Sequence, residues 1–274
     1  MKIKEKQIKM VEYFNNNLYF MNNIDNKILN HKSEFPIGSI TKLFTIISIL
    51  LLHQNNKLNI NDNIYKYIKN KNLKNIKIID IINHKSGLKN WYDIGYDGTN
   101  IKFNSATEVY NNFINEKINT SNKNIYSYSN IGYIILGVLI ETISNLNYFD
   151  FINENILIPL NMKNTNLDDT NITLYNFNYD KNKMSKLNRY QKNTMSLASS
   201  AGCLKSNVSD LIKFSNFVNL LNNNTKKILK ELYIFKNYHI SHTGRILGGK
   251  TKIDIEYDNK LNFISIYIEL KTAI

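Results

Sequence analysis

The hydrophobic positions of this chain change period along its length, and the changes mark out its elements. Near the C-terminus, Lys252-Ile253-Asp254-Ile255-Glu256-Tyr257 and Ile264-Ser265-Ile266-Tyr267-Ile268-Glu269 alternate apolar and polar residues, the pattern of half-buried strands. Asp258-Asn259-Lys260 between them predicts a hairpin turn, and residues 233–241 a third strand. Residues 43–52 and 131–140 are almost unbroken apolar runs. They predict buried helices, being too short for the ~20 residues of a membrane span. In residues 209–221, Leu211, Phe214, Phe217, Val218 and Leu221 fall on one helical face. At the N-terminus, residues 3–17 predict a short amphipathic helix. Residues 18–20 and 27–30 then predict two strands around a turn at 22–26. Residues 39–165 read as mostly helical or looped, with Ile64, Tyr67 and Ile68 at helical spacing, and 168–198 as polar and irregular.

Sheet-forming segments at both ends of a helical middle predict an α/β (α+β) fold, with an antiparallel sheet flanked by helices and an inserted all-helical lobe. Residues 1–45 and 200–274 form the expected α/β lobe and 46–199 the helical lobe of a single domain. A site is expected where the lobes meet.

Composition narrows the function. The 274 residues are 43% hydrophobic, enough for a large core. The net charge is +13, but Asn, Lys, Ile and Tyr are all abundant, the lysines are scattered, and no stripe interleaves aromatics with arginine. Nucleic acid is therefore not expected as the primary partner. One cysteine, Cys203, excludes an internal disulfide and a Cys-based zinc site, and it reads as a small buried apolar residue. No metal or cofactor is expected. The basic N-terminus has no apolar run after it, so no signal peptide and an intracellular location are expected. The oligomeric state stays open.

The candidate chemistry starts at Ser39-Ile40-Thr41-Lys42, just before the apolar run 43–52. Residues three apart share a helix face, so the Lys42 amine reaches the Ser39 hydroxyl, and a serine becomes a good nucleophile only when a neighbour takes its proton. A second Ser-x-x-Lys, Ser86-Gly87-Leu88-Lys89, has no apolar helix after it and reads as a loop. Three further segments carry polar residues beside predicted elements. They are Asp80-Ile81-Ile82-Asn83-His84-Lys85-Ser86-Gly87-Leu88, Tyr128-Ser129-Asn130-Ile131-Gly132-Tyr133 and Ser241-His242-Thr243-Gly244. His84 reads as a turn residue, Trp91 as a lobe anchor or part of the pocket rim, and Gly244 as a close backbone approach to a ligand.

In order and context, these segments, with Ala201-Gly202-Cys203-Leu204 and Ser209-Asp210-Leu211, resemble the serine β-lactamase and penicillin-binding-protein-like superfamily. The class C β-lactamase and esterase branch is the part they resemble. The resemblance spans about residues 35 to 270. It implies Ser39 as the acylated nucleophile, Lys42 as the group assisting its deprotonation, and Tyr128 as the acid/base serving the leaving group. Asn130 would bond Lys42 and the substrate amide. His242, Thr243 and Gly244 would form the strand edge beside the substrate, and the backbone N–H groups of Ser39 and Arg245 the oxyanion hole. His242 stands where penicillin-recognising members have lysine, which favours the esterase or peptidase branch. A small-molecule or peptide substrate is implied, as an ester, a D-amino-acid amide or a β-lactam. The alternative is a catalytically inactive scaffold or binding protein of the same fold.

Overall fold

The computed structural model describes residues 9–14, 17–21, 32–90, 102–115, 120, 123–167, 175–178, 183–186, 196–236, 238–246, 249–258 and 260–270. In chain order its strands are β1 (Lys9–Phe14), β2 (Asn17–Met21), β3 (Phe35–Pro36), β4 (Tyr175–Asn178), β5 (Lys183–Lys186), β6 (Lys205–Ser206), β7 (Phe235–Lys236), β8 (His239–Ile246), β9 (Gly249–Asp258) and β10 (Lys260–Leu270). The helices that position the site are α1 (Thr41–Gln54), α2 (Ile78–Ile82), α3 (Ala106–Val109) and α4 (Asn130–Ser144). They are followed by α5 (Tyr148–Ile152), α6 (Ser199–Gly202), α7 (Val208–Phe214) and α8 (Asn223–Glu231).

The main sheet has the order β2-β1-β10-β9-β8-β7 and is antiparallel throughout. The alternation read from the sequence becomes one buried face. Ile253, Ile255 and Tyr257 of β9 and Ile264, Ile266 and Ile268 of β10 are all buried, with Ile255 opposite Ile264 and Ile253 opposite Ile266. That face packs on the turn before α1 and on the 208–220 helical segment.

Behind the sheet, α1 is buried from Thr41 through Leu52, so it is a central helix with no solvent face. It packs against α4 and α6, and Phe44 stacks on Phe214 of α7 with ring centroids 4.1 Å apart. Ser129 caps α4 by accepting from Gly132 N–H, and Asn145 closes it in the left-handed conformation, φ 59°. Glu141, on α4, ties neighbouring helices to it. Its carboxylate accepts the N–H groups of Ala106, Thr107 and Tyr148, which lie at the starts of α3 and α5.

The structure corrects several expectations. Residues 9–14, expected within a helix, form β1. Val11, Tyr13 and Phe14 favour extended backbone, and β10 supplies partners for the strand's N–H and C=O groups (Val11 opposite Ile266). Strand β2 pairs with β1, Phe14 opposite Asn17, while the expected turn at 22–26 and strand at 27–30 lie outside the described residues. The expected strand 233–241 is a tight hairpin, with β7 and β8 joined beside Tyr238 at φ 61° and Lys236 opposite His239. Within the segment expected to be irregular, Tyr175–Asn178 and Lys183–Lys186 pair as antiparallel strands, and Tyr175-Asn176-Phe177-Asn178 carries a short alternation. Ile64, Tyr67 and Ile68 belong to a 3-10 turn, Ile64–Lys66, and the residues just after it. The predicted helix over 209–221 is α7 followed by a 3-10 turn, Ser215–Leu220, with Leu211, Phe214, Phe217 and Leu221 buried.

Candidate active site

Ser39 lies where strand β3 turns into α1. Ile37 N–H donates to Leu204 O at 2.9 Å, Gly38 takes φ 53°, and Gly38–Ile40 forms one 3-10 turn before the helix. Left-handed backbone there favours glycine, and it lifts Ser39 out of the strand to the start of α1. Lys42 follows one turn later with no exposed surface. Its amine donates to Ser39 Oγ at 3.0 Å, Asn130 Oδ1 at 2.7 Å and Ala201 O at 2.6 Å. All three partners are uncharged, and burial holds the Lys42 pKa well below the ordinary lysine value.

Tyr128 and Asn130 flank the Ser129 cap of α4. Tyr128 OH donates to Ser39 Oγ at 2.7 Å, and its ring lies 5.0 Å from the Lys42 amine. Asn130 is the first residue of α4, and both its backbone N–H and its side-chain amide donate to Asn90 Oδ1 at 3.2 Å. Ser39 Oγ thus stands between an amine and a phenol, the arrangement that proton transfer to and from a nucleophile requires.

The opposite wall is β8. His242 is almost fully buried, while Thr243 and Arg245 are exposed on the alternate face. The His242 Nδ1 lies 3.0 Å from Thr243 O. Burial, and secondarily the charge of Lys42, lowers the His242 pKa to about 4, so the ring is neutral at pH 7. Gly244 has a different cause from the one expected. A Cβ on it would meet Ile37 O and Thr251 Oγ1, so the close approach is to the chain leading into Ser39 and not to a ligand.

Six of the predicted residues, Ser39, Tyr128, Asn130, His242, Thr243 and Arg245, line one cleft of about 370 Å³. Lys42 lies beneath them, and Gly244 of β8 faces the chain leading into Ser39. Sequence reasoning missed Asn90, which lines the same cleft, and the Ala201 carbonyl that holds Lys42. Asn90 follows directly on Ser86-Gly87-Leu88-Lys89, the segment read as a loop. There Ser86 is a buried turn residue whose Oγ accepts from Leu88 N–H. Cys203 is half-buried, with its thiol pushed up to about 12 by burial. Trp91 lies outside the described residues. Among the described residues no cluster of His, Cys, Asp and Glu is suited to a metal ion, and no single helix is long and apolar enough to cross a membrane.

The fold agrees with comparisons to known proteins. The beta-lactamase family model matches residues 20–247. The chain is 30% identical over 143 residues to penicillin-binding protein 4* of Bacillus subtilis, covering 50% of this chain and 31% of that one. It therefore spans about a third of the length of that relative. Among solved structures, a D-stereospecific amidohydrolase from Streptomyces superposes with a TM-score of 0.80 at 14% identity, covering 97% of this chain and 89% of that one. A D-amino acid amidase from Ochrobactrum anthropi superposes at 0.78 with 18% identity, covering 97% and 87%. The chain belongs to the β-lactamase family.

Proposed function

We propose that the protein is a serine hydrolase of the class C β-lactamase type, working through an acyl-enzyme on Ser39. The observation that carries this is the buried Lys42 amine, 3.0 Å from Ser39 Oγ and bonded to uncharged groups alone. Burial lowers the Lys42 pKa, so more of its amine is neutral at a given pH than in an exposed lysine, and the neutral amine accepts a proton. Ser39 Oγ attacks the substrate carbonyl as Lys42 takes its proton. Tyr128 carries a proton to the departing nitrogen or oxygen, and a water then releases the acyl group by the reverse sequence. The backbone N–H groups of Ser39 and Arg245 stabilise the oxyanion, and Asn130 holds both Lys42 and the substrate amide. Residues 46–199 supply the wall that carries Tyr128 and Asn130, while 1–45 and 200–274 supply Ser39 and β8.

A small amide or ester, such as a D-amino-acid amide, is the preferred substrate. The cleft of about 370 Å³ is at the small end of ligand sites. His242 is neutral where a lysine would offer a fixed cation to a β-lactam carboxylate. The likeness to the Streptomyces D-stereospecific amidohydrolase and the Ochrobactrum D-amino acid amidase points the same way.

The test is intact-mass analysis and peptide mapping after incubation with a fluorophosphonate and, separately, a penicillin, together with hydrolysis of D- and L-phenylalanine amides. One adduct on Ser39, absent in Ser39→Ala, is expected. A folded protein that takes no adduct from either probe is the inactive scaffold instead.

A further inference from the structure

His84 lies outside the cleft, yet it grips the segment carrying Tyr128 on both sides. Its carbonyl accepts Ser127 N–H at 2.7 Å, and its Nδ1 accepts Ser129 N–H at 3.2 Å. Tyr128 is the residue between these two bonds, and Asn130 is the residue just after them. The His84 ring also lies against the Tyr128 ring, centroids 4.5 Å apart and tilted by 35°. The phenol whose oxygen is 2.7 Å from Ser39 Oγ is thus held by one residue through two backbone bonds and one ring face.

The local chemistry explains why a histidine serves here. His84 follows α2 at φ 53°, and its carbonyl and its side chain both bond the irregular segment 127–129. The position needs a short side chain with an acceptor one atom beyond Cγ. Lysine and arginine have none. Because Nδ1 accepts a backbone N–H, it carries no proton. Burial pushes the ring's pKa down to about 3, so the ring is neutral at working pH. The remaining nitrogen, Nε2, is buried without a hydrogen-bond partner, in an enclosure that includes the rings of Tyr126, Tyr133 and Tyr233. A ring N–H over aromatic faces is a weak interaction, so the side chain's one strong bond is the one to Ser129.

We propose that His84 is a positioning residue for the acylation step, clamping residues 127 and 129 so that the Tyr128 hydroxyl is held on Ser39. The proposal rests on the serine-hydrolase reading for its kinetic consequence, but its geometric content stands apart from it.

His84→Gly removes the acceptor and the ring without opposing the positive φ. His84→Asn keeps an acceptor at the same place and tolerates left-handed backbone. The two are compared with wild type by the rate of fluorophosphonate labelling at saturating probe, by the probe concentration at half-saturation, and by crystal structures of the unlabelled proteins. The expected result for His84→Gly is a labelling rate lower by about 10- to 100-fold, the effect of an ~1 Å misplacement. Its half-saturation is expected to be unchanged, because His84 does not line the cleft, and Tyr128 OH is expected to leave hydrogen-bond range of Ser39 Oγ. His84→Asn is expected to recover most of the rate. A folded His84→Gly that labels at the wild-type rate with Tyr128 still on Ser39 overturns the proposal, as does a folded His84→Asn as slow as the glycine variant. Should His84→Gly not fold, the rate and Tyr128 position of His84→Asn decide alone. If wild type itself takes no label, the hydrolase reading fails, and the Tyr128–Ser39 distance in the variant still decides whether His84 positions it.

Discussion

Replacing Gly244 by alanine tests how the sheet is seated against Ser39. A Cβ at Gly244 would lie 2.1 Å from Ile37 O, 2.4 Å from Thr251 Oγ1 and 3.0 Å from the Ile37 carbonyl carbon. Ordinary carbon–oxygen contact begins at about 3.3 Å, so roughly 1.2 Å of overlap with the Ile37 oxygen must be relieved. Thr251 could rotate away, at the loss of its 2.9 Å bond to Ile37 O. The oxygen itself is backbone, held from the other side by the bond from Ile37 N–H to Leu204 O. The strain therefore falls on the spacing between β8 and the turn that presents Ser39. Overpacking of this kind costs about 1–3 kcal/mol, or roughly 2–12 °C in Tm for a chain of this size. A displacement near 1 Å at the nucleophile costs about 100-fold in rate. The assay is thermal unfolding of Gly244→Ala beside wild type, with the rate of Ser39 labelling by a fluorophosphonate on the same samples. Loss of both is expected. A variant whose Tm stays within about 1 °C of wild type and which labels at the same rate would show that the glycine is not a spacer.

Two further predictions concern pH. Protonated Lys42 cannot accept the Ser39 proton, so acylation follows the fraction of neutral amine. Its rise with pH should lie well below the usual lysine value of about 10.4, because burial lowers the folded-state pKa; a labelling rate that climbs only above about pH 10 refutes this. His242, held at about 4 when folded against about 6.5 unfolded, refuses a proton that the unfolded chain takes up. Stability should therefore fall as pH drops from about 6.5 toward 4, by roughly 2 kcal/mol at pH 5 from this residue. Urea unfolding at pH 7 and pH 5 should show a smaller loss for His242→Gln than for wild type. Equal losses would remove His242 as the source.

Much of the site was legible because its chemistry is local. Ser39 and Lys42 share one helix face, so spacing carried the argument to that pair, while Tyr128 and Asn130 were reached through the order and context of the family's motifs. His242, Thr243 and Arg245 were legible only through their place in a motif, since nothing local says which cleft a strand edge will border. Asn90 and the Ala201 carbonyl were missed for a related reason. An asparagine in a loop and a backbone oxygen carry no pattern, and both gain meaning only from what folds against them. Gly244 was legible as a close approach, but the partner was misassigned, because what lies within 3 Å of a glycine is decided by segments some 200 residues away.

The sequence by itself determined the elements whose period matches their burial. The all-round apolar runs became α1 and the core of α4, and the alternating C-terminal segments became β9 and β10. At residues 9–14 local propensity favours extended backbone only in part, and the tertiary structure decided the strand, because β10 supplies hydrogen-bond partners that no local pattern shows. It alone decided the state of Lys42 as well. The sequence puts an amine beside a hydroxyl, but the lowering of its pKa depends on complete burial among Ser39, Asn130 and Ala201. Desolvation is a property of the assembled core and is not written at any one position.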